Sequence, residues 1–163
     1  MMTAKEFDKK FEYELAEIIR NRKVNHLWLS EQTQIPLVSV HAYAQGRKMP
    51  SAYPAYKIAT RLGMTVDQIA AGQEDKHDAF LVNAFLPSKE EFENTVRKNL
   101  DNLLKKHNLT RMQLSHITGI DAGAISKIYN GQRFPALTTI YMIAGSMGMK
   151  MNALLQPVGA KEE

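Results

Sequence analysis

The chain contains no cysteine. Disulfides, thiolate metal sites and cysteine nucleophiles are therefore excluded, which fits a reducing compartment. Long hydrophobic runs are missing as well. The longest apolar stretch, positions 79–86, is far too short to cross a bilayer. The opening residues Met1 to Glu6 lead into no apolar core, so no signal peptide is expected. No run of alternating β-branched residues occurs, which leaves no pattern for strands. No nucleophile stands beside a base, no glycine-rich loop could cradle a phosphate, and no carboxylates pair on an apolar face. The sequence therefore does not read as an enzyme. The five histidines, His26, His41, His77, His107 and His116, lack metal-ligand spacing, so neither a metal nor another cofactor is expected. These absences together predict a soluble cytoplasmic protein with no membrane partner.

What the chain does contain is itself, twice. Residues 3–70 moved along by 85 positions, without a gap, fall on 88–155 with 14 of 68 positions identical. The identities include Leu29/Leu114, Ser30/Ser115, Thr33/Thr118, Ile35/Ile120, Gly46/Gly131, Pro50/Pro135 and Gly63/Gly148. Other pairs exchange like for like, such as Val24/Leu109 and Val40/Ile125. One small unit, duplicated, is the simplest account. The expected organisation is a first domain at 1–72, a connector at 73–87, a second domain at 88–157 and a tail at 158–163. The net charge of +4 is unevenly spread: both repeats are basic, while the connector and the tail are acidic. A basic balance favours polyanionic partners, although this one is modest.

Each repeat opens with a helix start signal. Thr3 with Glu6, and Ser88 with Glu91, fit a capping box. Apolar residues then recur at helical spacing: Phe7, Phe11, Leu15 and Ile18 in the first repeat, and Phe92, Val96, Leu100 and Leu103 in the second. Asn25 and Thr110 are suited to cap a second helix running to Thr33 and Thr118. Gly119 ends it in repeat two, whereas repeat one has Gln34 at that place. Asp121 caps a third helix, and Pro36 holds the matching position. Glycines 46 and 131 end that helix, Pro50 and Pro135 precede a fourth, and a last turn spans 65–71 or 150–156. The chain is thus predicted all-α, with about five helices per repeat. Trp28 is expected as a core or interface anchor. Met112, Met142, Met147, Met149 and Met151 are expected as core filler.

Two short helices joined by a tight turn form a helix-turn-helix. In repeat two Leu114 and Ser115 precede Gly119-Ile120-Asp121. Ile125-Ser126-Lys127-Ile128, Asn130-Gly131 and a loop with Arg133 ending at Pro135 follow, then Ile143, Ala144, Met147 and Gly148. This resembles the phage repressor and Cro-type (lambda-repressor-like) helix-turn-helix family over all of repeat two apart from its long first helix. Repeat one resembles it more weakly, through Leu29, Ser30, Ile35, Val40, Gly46, Arg47, Pro50, Ile58, Ala59, Leu62 and Gly63. Pro36, Tyr43 and Gln45 depart from the pattern there.

The resemblance implies two tandem helix-turn-helix domains and a double-stranded DNA partner. It places Ala122, Gly123, Ser126 and Lys127 toward bases, and Arg111, Asn130, Gln132 and Arg133 toward the phosphate backbone. The matching positions in repeat one are Leu37, Val38, His41 and Ala42 toward bases, with His26, Gln45, Arg47 and Lys48 toward phosphate. The implied function is a sequence-specific transcription regulator, a repressor that occludes a promoter. Small and apolar groove positions can meet thymine methyls, but they leave a second reading open: a protein-interaction module, such as an inhibitor or antirepressor, on the same scaffold. The apolar part of the connector, 79–86, has two open roles. It can pack as an extra helix that fixes one repeat against the other, or it can form a homodimer contact. A 15-residue connector could reach about 50 Å if extended, enough to serve two reading heads about 34 Å apart.

Overall fold

The computed structural model of the chain describes residues 1–73 and 84–157. The described residues are all-helical and divide into two compact units, Met1–Leu86 and Pro87–Glu163. Unit one holds α1 (Ala4–Asn21), α2 (His26–Thr33), α3 (Leu37–Ala44), α4 (Ala52–Arg61) and α5 (Val66–Ala71). Unit two holds α6 (Lys89–His107), α7 (Arg111–Thr118), α8 (Ala122–Tyr129), α9 (Leu137–Ser146) and α10 (Met151–Leu155). No described helix is long and apolar enough to cross a membrane.

The long first helix of each unit is the platform. Thr3 and Glu6 close a reciprocal capping box at the start of α1, and the Ser88 hydroxyl accepts the Glu91 amide at the start of α6. The buried faces of α1 (Phe7, Phe11, Leu15, Ile18) and of α6 (Phe92, Val96, Leu100, Leu103) follow the helical period. α1 packs on α3 and α5, while α6 packs on α8 and α10. The buried Asn99 side chain of α6 donates to the carbonyls of Leu154 (3.0 Å) and Gln156 (2.7 Å), tying the end of α10 to the platform.

The two units solve one local problem differently. At the end of α7, Gly119 takes a left-handed conformation with φ +74°, where an L side chain is strained. At the end of α2 that conformation falls to Gln34, with φ +57°. The carbonyls at this helix end take cationic partners from places where unit two has uncharged residues. Lys57 Nζ of α4 donates to Thr33 O at 2.6 Å, and Arg61 Nε reaches Gln32 O at 3.4 Å. The matching residues in unit two are Met142 and Ser146. Burial lowers the Lys57 pKa from its usual value. Arg61 also donates to Ala84 O at 2.6 Å, which fastens residue 84 to unit one.

Three expectations meet a different outcome or none. Met112 is 68% exposed rather than core, because it lies on the side of α7 opposite the buried Leu114. With Leu109 and Ile117 it lines an open groove on that outer side. Trp28 is half-buried. The sequence gives the 79–86 segment two roles, packing as an extra helix or forming a homodimer contact. Residues 79–83 and the tail 158–163 lie outside the described residues, and of the remainder Phe85 is 77% exposed.

Candidate nucleic-acid interface

The turn between α7 and α8 is held by side-chain bonds, most of them from residues that the sequence repeats. Thr110 and Gln113 form a reciprocal capping box at the start of α7. At its end the Ser115 hydroxyl donates to Ile120 O at 2.6 Å, and Thr118 Oγ1 donates to Leu114 O at 2.8 Å. The Ile120 amide donates back to Thr118 Oγ1 at 3.2 Å. The three bonds at the end of α7 recur 85 residues earlier. Ser30 donates to Ile35 O (2.6 Å), Thr33 Oγ1 to Leu29 O (2.6 Å), and the Ile35 amide to Thr33 Oγ1 (3.4 Å). Thr33 and Thr118 are buried, so without these bonds their hydroxyls would be left unsatisfied. The repeated Ser, Thr and Ile are therefore the fasteners that set the angle between the two helices of the motif.

The second helix of the motif then presents one face and buries the other. In α8 the Asp121 carboxylate accepts the amides of Gly123 (3.0 Å) and Ala124 (3.3 Å), while Ile125 and Ile128 enter the core. Ala122, Gly123, Ser126 and Lys127 lie on the other side: Gly123 and Lys127 are exposed, and Ala122 and Ser126 are half-buried. Gly123 has a structural reason of its own. A Cβ there would stand 2.9 Å from Asp121 Oδ2, so a side chain would disturb the cap. In α3, Val40 and Tyr43 are buried, and Pro36 caps with no side-chain hydrogen bond. Leu37, Val38 and His41 are exposed there, and Ala42 is half-buried.

Around these faces the structure gathers the expected backbone-contacting residues into pairs. Arg111 at the start of α7 donates to Asn130 Oδ1 at 2.6 Å, and its guanidinium lies 5.4 Å from the centre of the Tyr129 ring. The Tyr129 hydroxyl in turn donates to Leu100 O at 2.9 Å, so the ring is anchored on α6. Gln132 and Arg133 are exposed in the following loop. In unit one Arg47 Nε donates to Gln45 Oε1 at 2.6 Å, and Lys48 Nζ lies 6.0 Å from the Tyr43 ring. His26 and His41, assigned to backbone and bases respectively, are brought together: their Nδ1 atoms are 2.7 Å apart. One ring must donate and the other accept. None of Arg47, Lys48, Arg111, Lys127 and Arg133 is ion-paired with a carboxylate among the described residues. Their charge faces outward unneutralised, as a polyanion site requires.

Two contributors escape the sequence pattern. Tyr129 is the ring on which Arg111 rests. Arg97, on the flank of α6, donates to Ile128 O at 3.3 Å and lies 5.5 Å from the centre of the Phe134 ring, supporting the loop that carries Arg133. Arg97 falls on Glu12 at the 85-residue offset, so the self-match of the sequence gave no signal for it.

No curated protein and no solved structure matches the chain. Residues 99–158, from the middle of α6 through α10, match the family model of the Cro/C1-type HTH DNA-binding domain, and this similarity supports a DNA-binding transcription regulator.

Proposed function

We propose that the chain is a sequence-specific double-stranded DNA-binding regulator of phage or mobile-element type. It acts in the cytoplasm as a repressor that occludes a promoter, and it reads with two tandem helix-turn-helix domains, 1–72 and 88–157. The observation that carries this reading is the outward cation set around α8. Arg111 rests on Tyr129 and bonds Asn130 beside the exposed Lys127 and Arg133, within the stretch similar to the Cro/C1-type domain. Cations at the rim fix register on phosphates, while the exposed start of α8 offers side chains to base edges. The first unit supports the same use through its recurring turn bonds and its outward Arg47 and Lys48. Because the two faces differ, the preferred site is not a true palindrome.

Selection from a random duplex DNA pool with the whole chain at moderate salt tests this. The expected motif has two unlike half-sites about 10 base pairs apart, centre to centre. A single half-site or a palindrome restricts reading to one unit, and no enrichment overturns the proposal. A second reading, a protein-interaction module such as an inhibitor or antirepressor, draws on the apolar exposure of Leu27 (55%) and Val38 (74%) in unit one. Capture of a protein partner that persists after nuclease treatment, with no duplex selected, would favour it.

A further inference from the structure

We infer that the first unit reads thymine: Leu37 and Val38, the two exposed residues that open α3, take C5-methyl groups of thymine in the major groove. The first half-site is then rich in A·T pairs and is specified by methyl contact rather than by hydrogen bonding. This rests on the proposed DNA-binding function and names the base chemistry of one of its two faces.

Three observations converge on it. The first is the make-up of the face. Leu37, Val38 and Ala42 offer no polar side-chain atom, and the Nδ1 of the one polar member, His41, is taken up by His26 at 2.7 Å. Base discrimination by paired hydrogen bonds has almost nothing to work with here, whereas the thymine methyl is the apolar mark of the major groove. The second is charge. From Gln32 to Val66 the chain carries no acidic residue, and the exposed Arg47 and Lys48 follow the end of α3. An apolar turn on a stretch whose only formal charges are cations suits a polyanion with methyls in its groove better than an apolar protein surface. The third is the cap. In unit two the Asp121 carboxylate caps the helix, and its Oδ2 stands 2.9 Å from where a Cβ at position 123 would go. In unit one Pro36 supplies no side-chain cap bond, and the position equivalent to Gly123 bears Val38 at 74% exposure. The change of cap and the arrival of an outward branched side chain are one coupled exchange. It removes a carboxylate and adds two methyl groups on the surface that would meet DNA.

The test uses the whole chain and the duplex it selects from a random pool, prepared once with thymidine and once with deoxyuridine at every thymidine position. Loss of one buried methyl should weaken binding about fourfold. The paired variant Leu37→Ala/Val38→Ala should weaken binding to the thymidine duplex and bind both duplexes alike, whereas Lys127→Ala should retain the wild-type ratio between them. Both Leu37 and Val38 are exposed, so an unchanged melting temperature verifies that the paired variant is folded. Equal wild-type affinity for the two duplexes overturns the inference and leaves the proposed function standing. So does a thymidine preference that survives in the paired variant. If no duplex is selected at all, the proposed function fails and the inference falls with it; the apolar turn is then a protein contact.

Discussion

Gly119→Ala and Gln34→Gly should move the two units in opposite directions. Gly119 sits at φ +74° with nothing within 4 Å of the place where a Cβ would go. The cost of alanine there is therefore one of backbone alone. A left-handed L residue costs about 1–2 kcal/mol, and the stiffer unfolded chain returns about 0.4–1 kcal/mol of that. Unit two should lose about 1 kcal/mol in net terms. Gln34 bears the same strain at φ +57° with an exposed side chain, so Gln34→Gly runs the sum backwards. Unit one should gain about 0.5–1 kcal/mol.

The chain offers a natural way to read the units separately. Its one tryptophan, Trp28, lies in α2, a few residues before Gln34. Tryptophan fluorescence during urea unfolding follows unit one, while far-ultraviolet circular dichroism follows both. With a slope of about 1 kcal/mol per molar urea for a small domain, the midpoints should shift by about 0.5–1 M. Gln34→Gly should raise the fluorescence midpoint, and Gly119→Ala should lower a transition seen by circular dichroism while leaving the fluorescence midpoint in place. A lowered fluorescence midpoint for Gln34→Gly would refute the strain argument. It would mean that the Lys57 and Arg61 bonds to this helix end depend on the glutamine conformation and outweigh it.

Other expectations follow from the same geometry. Arg133→Ala should weaken binding to all duplexes and reduce the slope of log affinity against log salt by about one, whereas Lys127→Ala should change sequence preference; titrations at several salt concentrations separate the two. Ser115→Ala leaves the half-buried Ile120 carbonyl without its 2.6 Å donor and should cost about 1–3 kcal/mol, read as a drop in melting temperature of several degrees. Tyr129→Phe removes the bond to Leu100 O and should cost about 1 kcal/mol at neutral pH. The same variant should flatten the alkaline limb of the stability profile. Burial raises the Tyr129 pKa from 10.0, with Asp101 adding and Arg111 opposing, and burial raises Tyr43 and Tyr56 also. The folded chain keeps these protons when the unfolded chain releases them, so their contribution is fully present below pH 10 and is lost as pH rises beyond it. Lys57 acts in the opposite sense: its lowered pKa weighs against folding at neutral pH, and that burden lifts toward pH 10.5. The Tyr129 shift is the large one among these, so the net is a fall, measurable as melting temperature from pH 8 to 12.

Much of the helical frame could be read directly from the chain because its signals are local. Thr3, Asn25, Thr110 and Asp121 each accept an amide two or three residues on, and Gly119 takes the left-handed turn assigned to it. Alternation of buried and exposed residues along α1 and α6 follows from the helical period in the same way. What stayed hidden is long-range. The Lys57 bond to Thr33 spans 24 residues, that of Arg97 to Ile128 spans 31, and that of Tyr129 to Leu100 spans 29. No periodicity encodes such pairings, and none is conserved between the repeats. Met112 misled for a related reason: helical spacing places a residue on a face but does not say whether anything covers that face.

The offset of 85 also separates what the scaffold demands from what its surface is at liberty to change. Ser, Thr, Leu and Ile at the turn are identical at the two offsets, and each makes the matching bond or is buried in its own unit. None of the eight pairs assigned to bases or phosphates is identical: Leu37/Ala122, Val38/Gly123, His41/Ser126, Ala42/Lys127, His26/Arg111, Gln45/Asn130, Arg47/Gln132 and Lys48/Arg133. A reader that pairs two copies of one chain must present the same face twice and is bound to a symmetric site. Two units in one chain are released from that condition, since a change in one face leaves the other as it was. Under the proposed function the divergence is therefore concentrated where it alters the site read, and the turn beneath it is held constant because a change there would misaim either face.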